Sequence, residues 1–266
     1  MYQFNYYRAK NLADAAQKLA ASGDAKLLAG GQTLIAAMKL RLAAPSEVVD
    51  LRDVGELRGI RSDGKTVVIG AMTRHAEVAS SKEVRQAIPA LATLASGIGD
   101  RMVRNMGTLG GSVANNDPAA DYPAAVVGLG ATVTTNKRKI EADKFFTGMY
   151  ETALEADEII ASIAFPVPRR AAYAKFQNPA SRYAIVGVFV ADFGGTVRVA
   201  VTGAGPCVFR VAEMEKALAR RFAVDSVAGI NVGADRLNSD IHAGPEYRAH
   251  LVGVMAKRAI AQAVAA

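Results

Sequence analysis

The stretch KLLAGGQTLIAAMKLRLAAPSEVVDL, residues 26–51, decides how the front of this chain folds. Lys26-Leu27-Leu28-Ala29 is a short apolar run that ends in Gly30-Gly31, and a helical stretch follows from about Thr33 to Leu40. Val48-Val49-Asp50-Leu51 then reads as another buried strand. Upstream, residues 3–7 are aromatic and strand-like. Asn11 reads as the N-cap of a helix whose one face is Leu12, Ala15, Ala16, Leu19 and Ala20. The front of the chain is therefore expected to run β-α-β-α-β, the pattern of a small parallel sheet.

Beyond Lys65 the pattern changes. Thr66-Val67-Val68-Ile69-Gly70 is a strand, followed by helical stretches at about 74–80 and 83–96. Residues 97–118 are rich in Gly and Asn with little periodicity, and 119–129 can be helical. Strands are expected at 131–134 and 158–163. Pro166, Pro168 and Arg169-Arg170 punctuate the chain and mark a domain boundary, giving units 1–168 (parts 1–57 and 58–168) and 169–266. Three strand signals follow at 173–177, 185–193 and 196–203, with Gly194-Gly195 as a hairpin turn. Helices at about 211–221 and 245–264 complete a smaller C-terminal α+β unit with a three-stranded sheet.

Composition narrows the function. The 266 residues are 51% hydrophobic and 21% charged, which is ordinary for a globular protein and excludes disorder or a fibrous build. Lys and Arg exceed Asp and Glu by 32 − 25 = 7. The surplus is dispersed, Lys137-Arg138-Lys139 and Arg220-Arg221 being the densest clusters, and no basic-aromatic stripe interleaves it. Nucleic acid is not expected; an anionic cofactor explains the surplus as well. Cys207, the one cysteine, can make no internal disulfide and cannot alone hold an iron–sulfur cluster. His75, His242 and His250 lack zinc-like spacing and read as surface or helix-packing residues, so no metal is expected on this chain. No signal peptide and no transmembrane segment is legible, and the cytoplasm is the expected address.

Two glycine-rich loops remain as candidates for chemistry. The first is Ala29-Gly30-Gly31-Gln32-Thr33, between a strand and a helix. The second is Gly107-Thr108-Leu109-Gly110-Gly111-Ser112, leading to Asn115 and Asp117-Pro118. Adjacent glycines let backbone approach a ligand, and amides at a helix start favour an anion, so two such loops suit a pyrophosphate held from both sides. Ordinary turns are the competing reading. Neither loop matches G-x-G-x-x-G or a P-loop, and Gly110-Gly111-Ser112-Val113-Ala114 falls short of a serine-hydrolase elbow.

The stretches AGGQTLIAAMKLRL (29–42), VVDLRDV (48–54), VVIGAMTRH (67–75), VRNMGTLGGSVANNDPAADYPAA (103–125) and YAKFQNPASRYAIVG (173–187) resemble the FAD-binding subunit of molybdenum hydroxylases. That family includes aerobic carbon monoxide dehydrogenase and xanthine dehydrogenase, and the resemblance runs over essentially the whole chain. It implies an α+β fold, with a vanillyl-alcohol-oxidase-like FAD domain in two α/β parts and a smaller C-terminal domain. It implies that FAD is wrapped by Ala29, Gly30, Gly31, Gln32 and Thr33 and by Thr108, Leu109, Gly110, Gly111 and Ser112, where Ser112 replaces a frequent Asn. Asn115 is a further polar contact. Asp121 matches a carboxylate on the adenosine side, against a plain helix N-terminal charge. Ile160 is an apolar contact, or an ordinary strand residue. Lys175 falls where relatives place a lysine near the flavin ring, against a solvated strand lysine, and Tyr183 where they stack an aromatic on it, against a core tyrosine. No catalytic side chain is implied on this chain. The partners implied are an iron–sulfur small subunit carrying [2Fe-2S] centres and a large subunit carrying the molybdenum cofactor, in a dimer of heterotrimers. The function implied is electron transfer from the iron–sulfur centres through FAD to an external acceptor. A self-contained FAD oxidase of the same fold superfamily is the alternative.

Overall fold

The computed structural model describes residues 1–265. The front of the chain forms the expected parallel sheet, ordered Asn5–Arg8, Glu47–Asp50, Lys26–Leu28. Asn11 caps the helix Leu12–Ala21, its side chain accepting the Asp14 N–H at 2.8 Å. The helix Leu34–Lys39 crosses back toward Glu47–Asp50, and a small core of Leu28, Met38 and Val48 lies beneath it. Because the strand Lys26–Leu28 delivers its C-terminal end straight into Ala29-Gly30-Gly31, the first glycine loop sits where parallel sheets place ligands.

The second sheet is antiparallel and five-stranded, in the order Ile60–Ser62, Thr66–Gly70, Ile160–Pro166, Thr132–Thr135, Lys139–Glu141. Its centre is therefore the strand that arrives last in sequence. That strand runs Ile160–Pro166, later than the expected 158–163, because residues 155–159 make the turn around Glu158. The helical stretch expected at 83–96 is two helices, Lys82–Ala87 and Pro89–Ser96, since Pro89 cannot continue the first and suits the start of the second. Residues 97–118, without periodicity in sequence, contain the short helices Arg101–Met106 and Leu109–Asn115, capped by Asp100 and Thr108. The helix expected over 119–129 begins later, at Tyr122–Gly128.

The third sheet is antiparallel and carries Arg170–Gln177, Ala184–Asp192, Val197–Thr202 and the two-residue strand Phe209–Arg210, one strand more than expected. Every residue of Ala184–Asp192 is buried. One face of the sheet packs on the helices Ala212–Arg220 and Pro245–Ala265. The other gives Tyr173, Phe189, Ala191 and Ala200 to the core of the five-stranded sheet and its helices. Residues 167–169 join the two sheets, which thus share a core. Among the described residues, no helix is long and apolar enough to cross a membrane.

Candidate functional site

All three sheets contribute to one cleft of about 670 Å³, within the range of small-molecule and cofactor sites. Its walls include the first loop, the segment 107–121, Ile159-Ile160 at the start of the central strand, and Ser181-Arg182-Tyr183 from the loop that joins two strands of the third sheet. Of the residues singled out from sequence, all but Leu109 and Lys175 line it.

The two loops differ in what they present. In the first, the backbone N–H groups of Gly31, Gln32, Thr33 and Leu34 have no acceptor among the described residues; Ile35 is the first to bond back, to the Gly31 carbonyl at 3.2 Å. Gly31 lies at φ +72°, the left-handed region that glycine tolerates, and this turns the amides together. In the second loop most amides are spoken for, Thr108 excepted. Leu109 donates to the Thr73 carbonyl at 3.0 Å, Gly110 to Ala71 at 2.8 Å, and Gly111 to the Thr108 hydroxyl at 3.2 Å. It offers side chains instead, the hydroxyl of Ser112 and the amide of Asn115. The two loops therefore present different donors to the cleft. One loop brings amides and the other brings side chains.

The reason for the glycines also differs from the expectation. A Cβ on Gly30 would stand 2.2 Å from the Met106 carbonyl oxygen, and one on Gly110 would stand 2.5 Å from the Ala71 Cβ. These glycines let protein approach protein. Leu109, expected at the cofactor, has its side chain fully buried in the core, and only its position in the loop matches the expectation.

Lys175 also departs from its expected surroundings. Its side chain is 8% exposed and its ammonium lies behind the cleft wall, donating to the Gly97 carbonyl at 2.9 Å, the Arg182 carbonyl at 2.9 Å and the Asp121 carboxylate at 3.0 Å. The strand Arg170–Gln177 is covered by the helix Pro89–Ser96, so the lysine is not solvated either. Asp121 faces the cleft from this network. It also accepts from the Tyr173 hydroxyl at 2.5 Å, and although it stands at the N-cap position of Tyr122–Gly128 its side chain makes no cap bond. Burial pushes its carboxyl above the usual carboxylate range, while Lys175 and the Tyr173 hydroxyl pull it down. Ile160 lies buried at the head of the central strand with a face on the cleft. Tyr183 is 46% exposed, just outside the strand Ala184–Asp192, which removes the core-tyrosine reading. Asn178 shapes its loop, the side-chain oxygen accepting the Ala180 N–H at 2.9 Å and the backbone N–H donating to the Tyr183 carbonyl at 2.8 Å.

Sequence reasoning missed His75 and Glu158 as cleft residues. Glu158 lines the wall and is bound by Arg138 at 2.9 Å and the Thr135 hydroxyl at 2.6 Å, which holds its carboxyl down to about 2. Its acid-rich neighbourhood in sequence gave no sign of this. His75 was read as a packing or surface histidine. It does pack, only 4% exposed, but against Gly107, so that it props the second loop from behind. The apolar strand running into it was the available signal. Burial, with Arg104 nearby, takes His75 down to about 4 from its usual 6.5. A base whose folded pKa is depressed stabilises the fold fully above its unfolded value and loses that contribution as pH falls through the folded one. The shift corresponds to about 3 kcal/mol. We therefore expect urea stability to fall between about pH 6.5 and pH 4, and His75→Gln to flatten that part of the profile. An unchanged slope in the variant would assign the acid sensitivity to other groups.

Three comparisons place this geometry among known proteins. Residues 2–168 match the family model described as the FAD binding domain in molybdopterin dehydrogenase. The chain is 36% identical to the carbon monoxide dehydrogenase medium chain of Hydrogenophaga pseudoflava, over 97% of this chain and 96% of that one. It is 36% identical to the nicotine 6-hydroxylase medium subunit of Paenarthrobacter nicotinovorans, with 97% and 96% covered. Among solved structures, reconstituted CO dehydrogenase from Oligotropha carboxidovorans superposes with a TM-score of 0.89 at 35% identity, covering 99% of this chain and 98% of that one. Quinoline 2-oxidoreductase from Pseudomonas putida 86 does so with a TM-score of 0.88 at 29% identity, with 98% and 97% covered.

Proposed function

Because the chain belongs to the family of FAD-binding domains in molybdopterin dehydrogenases, we propose that it is the FAD-carrying electron-transfer subunit of a heteromeric molybdenum hydroxylase. The observation that carries the reading is the row of unpaired amides from Gly31 to Leu34, opening on a cleft whose far wall carries Ser112 and Asn115. An anionic diphosphate satisfies such amides, which otherwise cost about 1–3 kcal/mol each when sealed from water. The donor set and the cleft volume thus fit the cofactor.

Gly31, Gln32, Thr33, Ser112 and Asn115 would hold the diphosphate, Asp121 would accept from the adenosine side, and Ile160 and Tyr183 would bound the ring. When bound, FAD supplies the ability to take up electrons singly or in pairs and to release them to a two-electron acceptor. The chain's own residues bind and orient. The Lys175 latch fixes the Asp121 carboxylate and, through the Arg182 carbonyl, the loop that carries Tyr183. His75 stays uncharged at neutral pH and supports the second loop by packing alone.

The self-contained oxidase requires an unengaged base at the cleft. Glu158 is paired with Arg138, Asp121 with Lys175 and Tyr173, and the His75 ring is packed between Gly107 and Tyr122 at 4% exposure. The electron-transfer reading therefore assigns the substrate chemistry to a large molybdenum subunit and the electron supply to a [2Fe-2S] small subunit, in a dimer of heterotrimers located in the cytoplasm. Several relatives are named as the medium chain of a dehydrogenase or the medium subunit of a hydroxylase, which supports assembly with other chains. Two measurements test the reading. The purified chain should take up equimolar FAD, and a tagged copy in its source cell should recover an iron–sulfur chain and a molybdenum chain. A colourless chain in excess FAD, or a lone chain oxidising substrate by itself, would overturn it.

A further inference from the structure

Of the four non-glycine residues held at positive φ among the described residues, three stand on the segments that carry or face Tyr183. Arg182, at φ +63°, immediately precedes it. Tyr150, at +57°, borders the same recess behind the cleft as Tyr183 does. Asn116, at +43°, ends the helix Leu109–Asn115 and leads into Asp117, which borders that recess too. Left-handed backbone is uncommon outside glycine, with asparagine the best tolerated of the rest, and it persists only where the surroundings hold it. Strain of this kind concentrates where a side chain has to be aimed.

Asn116 links these segments. Its side chain is fully buried, and its amide donates to the Gly148 carbonyl at 2.8 Å and the Glu151 carbonyl at 2.7 Å, the two ends of the turn that carries Tyr150. Its own carbonyl accepts the Tyr150 N–H at 3.2 Å. Only this orientation of the amide puts a donor on each carbonyl, and it leaves the side-chain oxygen buried without a partner among the described residues. The unpaired oxygen is a cost to the fold, so the two donors are what the position needs. The turn pinned in this way sets Tyr150 beside Tyr183, with the Tyr150 hydroxyl donating to the Asp117 carboxylate at 3.3 Å. Burial, with Asp117 and Tyr150 nearby, pushes the Tyr183 hydroxyl up, as expected of three neighbouring side chains.

We propose that Asn116 is a positioning residue for the flavin ring: by pinning the turn 148–151 it holds Tyr150 and Asp117 against Tyr183, and so fixes how the Tyr183 ring meets the flavin. Asn115 lines the cleft but Asn116 does not, so Asn116 acts through Tyr183 and not on the cofactor. The proposal rests on the FAD reading above and adds to it a residue that lies outside the cleft.

The test reads the flavin fluorescence of the FAD-loaded chain, which a tyrosine ring lying on the flavin quenches. Asn116→Gly keeps a backbone at ease in the left-handed region and removes both side-chain hydrogen bonds. Tyr150→Gly removes the side chain beside Tyr183 and leaves those bonds in place. Losing these contacts should shift Tyr183 about tenfold toward a released position, so each variant should brighten the bound flavin at unchanged FAD stoichiometry. Tyr183→Ala should brighten it as well, and adding Asn116→Gly to Tyr183→Ala should change nothing further. A merely structural role would lower stability and FAD stoichiometry equally in both backgrounds. Should Asn116→Gly not fold, Tyr150→Gly decides, alone and combined with Tyr183→Ala. A folded variant as dark as the parent, Tyr183→Ala included, or a brightening that persists undiminished without Tyr183, would overturn the proposal. Failure of the underlying reading looks different, since the chain would then take up no FAD at all.

Discussion

Gly30→Ala is expected to abolish the cleft. A methyl group there would stand 2.2 Å from the Met106 carbonyl oxygen and 2.7 Å from the Gly107 Cα, both backbone atoms. A flexible side chain could swing away, but these atoms cannot. His75 stands directly behind Gly107 and blocks retreat on that side. The loops must separate, at a cost of about 3 kcal/mol, and FAD affinity should fall more than about a hundredfold. Gly111→Ala is the control, because its methyl would meet the Thr108 hydroxyl at 2.9 Å and little else. That change disturbs a cap worth about 1 kcal/mol. Thermal unfolding and FAD titration of both variants decide the matter. Equal behaviour of the two would show that the loops are not in contact.

Lys175→Met should be the most destabilising single change at the site. It strands Asp121, whose side chain is 4% exposed, without its counter-charge, and breaking a buried pair costs about 3–5 kcal/mol. It also frees the carbonyls of Gly97 and Arg182. The pH dependence carries a definite sign. Burial already raises the Asp121 carboxyl above its unfolded value, so the folded state binds the proton more tightly, and stability declines as pH rises through that window. Without the ammonium the rise is larger. The variant should therefore be more stable near pH 5 than near pH 8, and Asp121→Asn added to it should restore part of the loss and remove the pH dependence. A variant as stable as the parent at pH 8 would mean that Lys175 is a surface residue. The flavin spectrum should shift as well, because the Arg182 carbonyl anchors the loop of Tyr183.

The front of the fold was legible because its signals are local. Asn11 and the apolar face from Leu12 to Ala20 specify a capped helix within a few residues, and the structure makes that cap. The segment 97–118 was not legible. Its helices span only Arg101–Met106 and Leu109–Asn115, too short to be stable by propensity. Asp100 and Thr108 cap them, and the strand-to-helix segment Ala71–His75 holds the second from outside. The site divides in the same way. Paired glycines announce the loops, but what each glycine touches is a long-range fact. Lys175 is the clearest case, since its acceptors lie 78, 54 and 7 residues away in sequence and no spacing rule selects them.

The strand order of the middle sheet bears on how the protein is made. Thr66–Gly70 and Thr132–Thr135 are neighbours of Ile160–Pro166, not of each other. A chain growing from the ribosome can close its parallel sheet once Glu47–Asp50 has emerged, yet the second glycine loop must wait on an open sheet until the central strand is translated. Tyr183 emerges later still. The flavin pocket is consequently a late product of synthesis, and a nascent chain halted before Ile160 would expose one open edge on each of two hairpins to its neighbours.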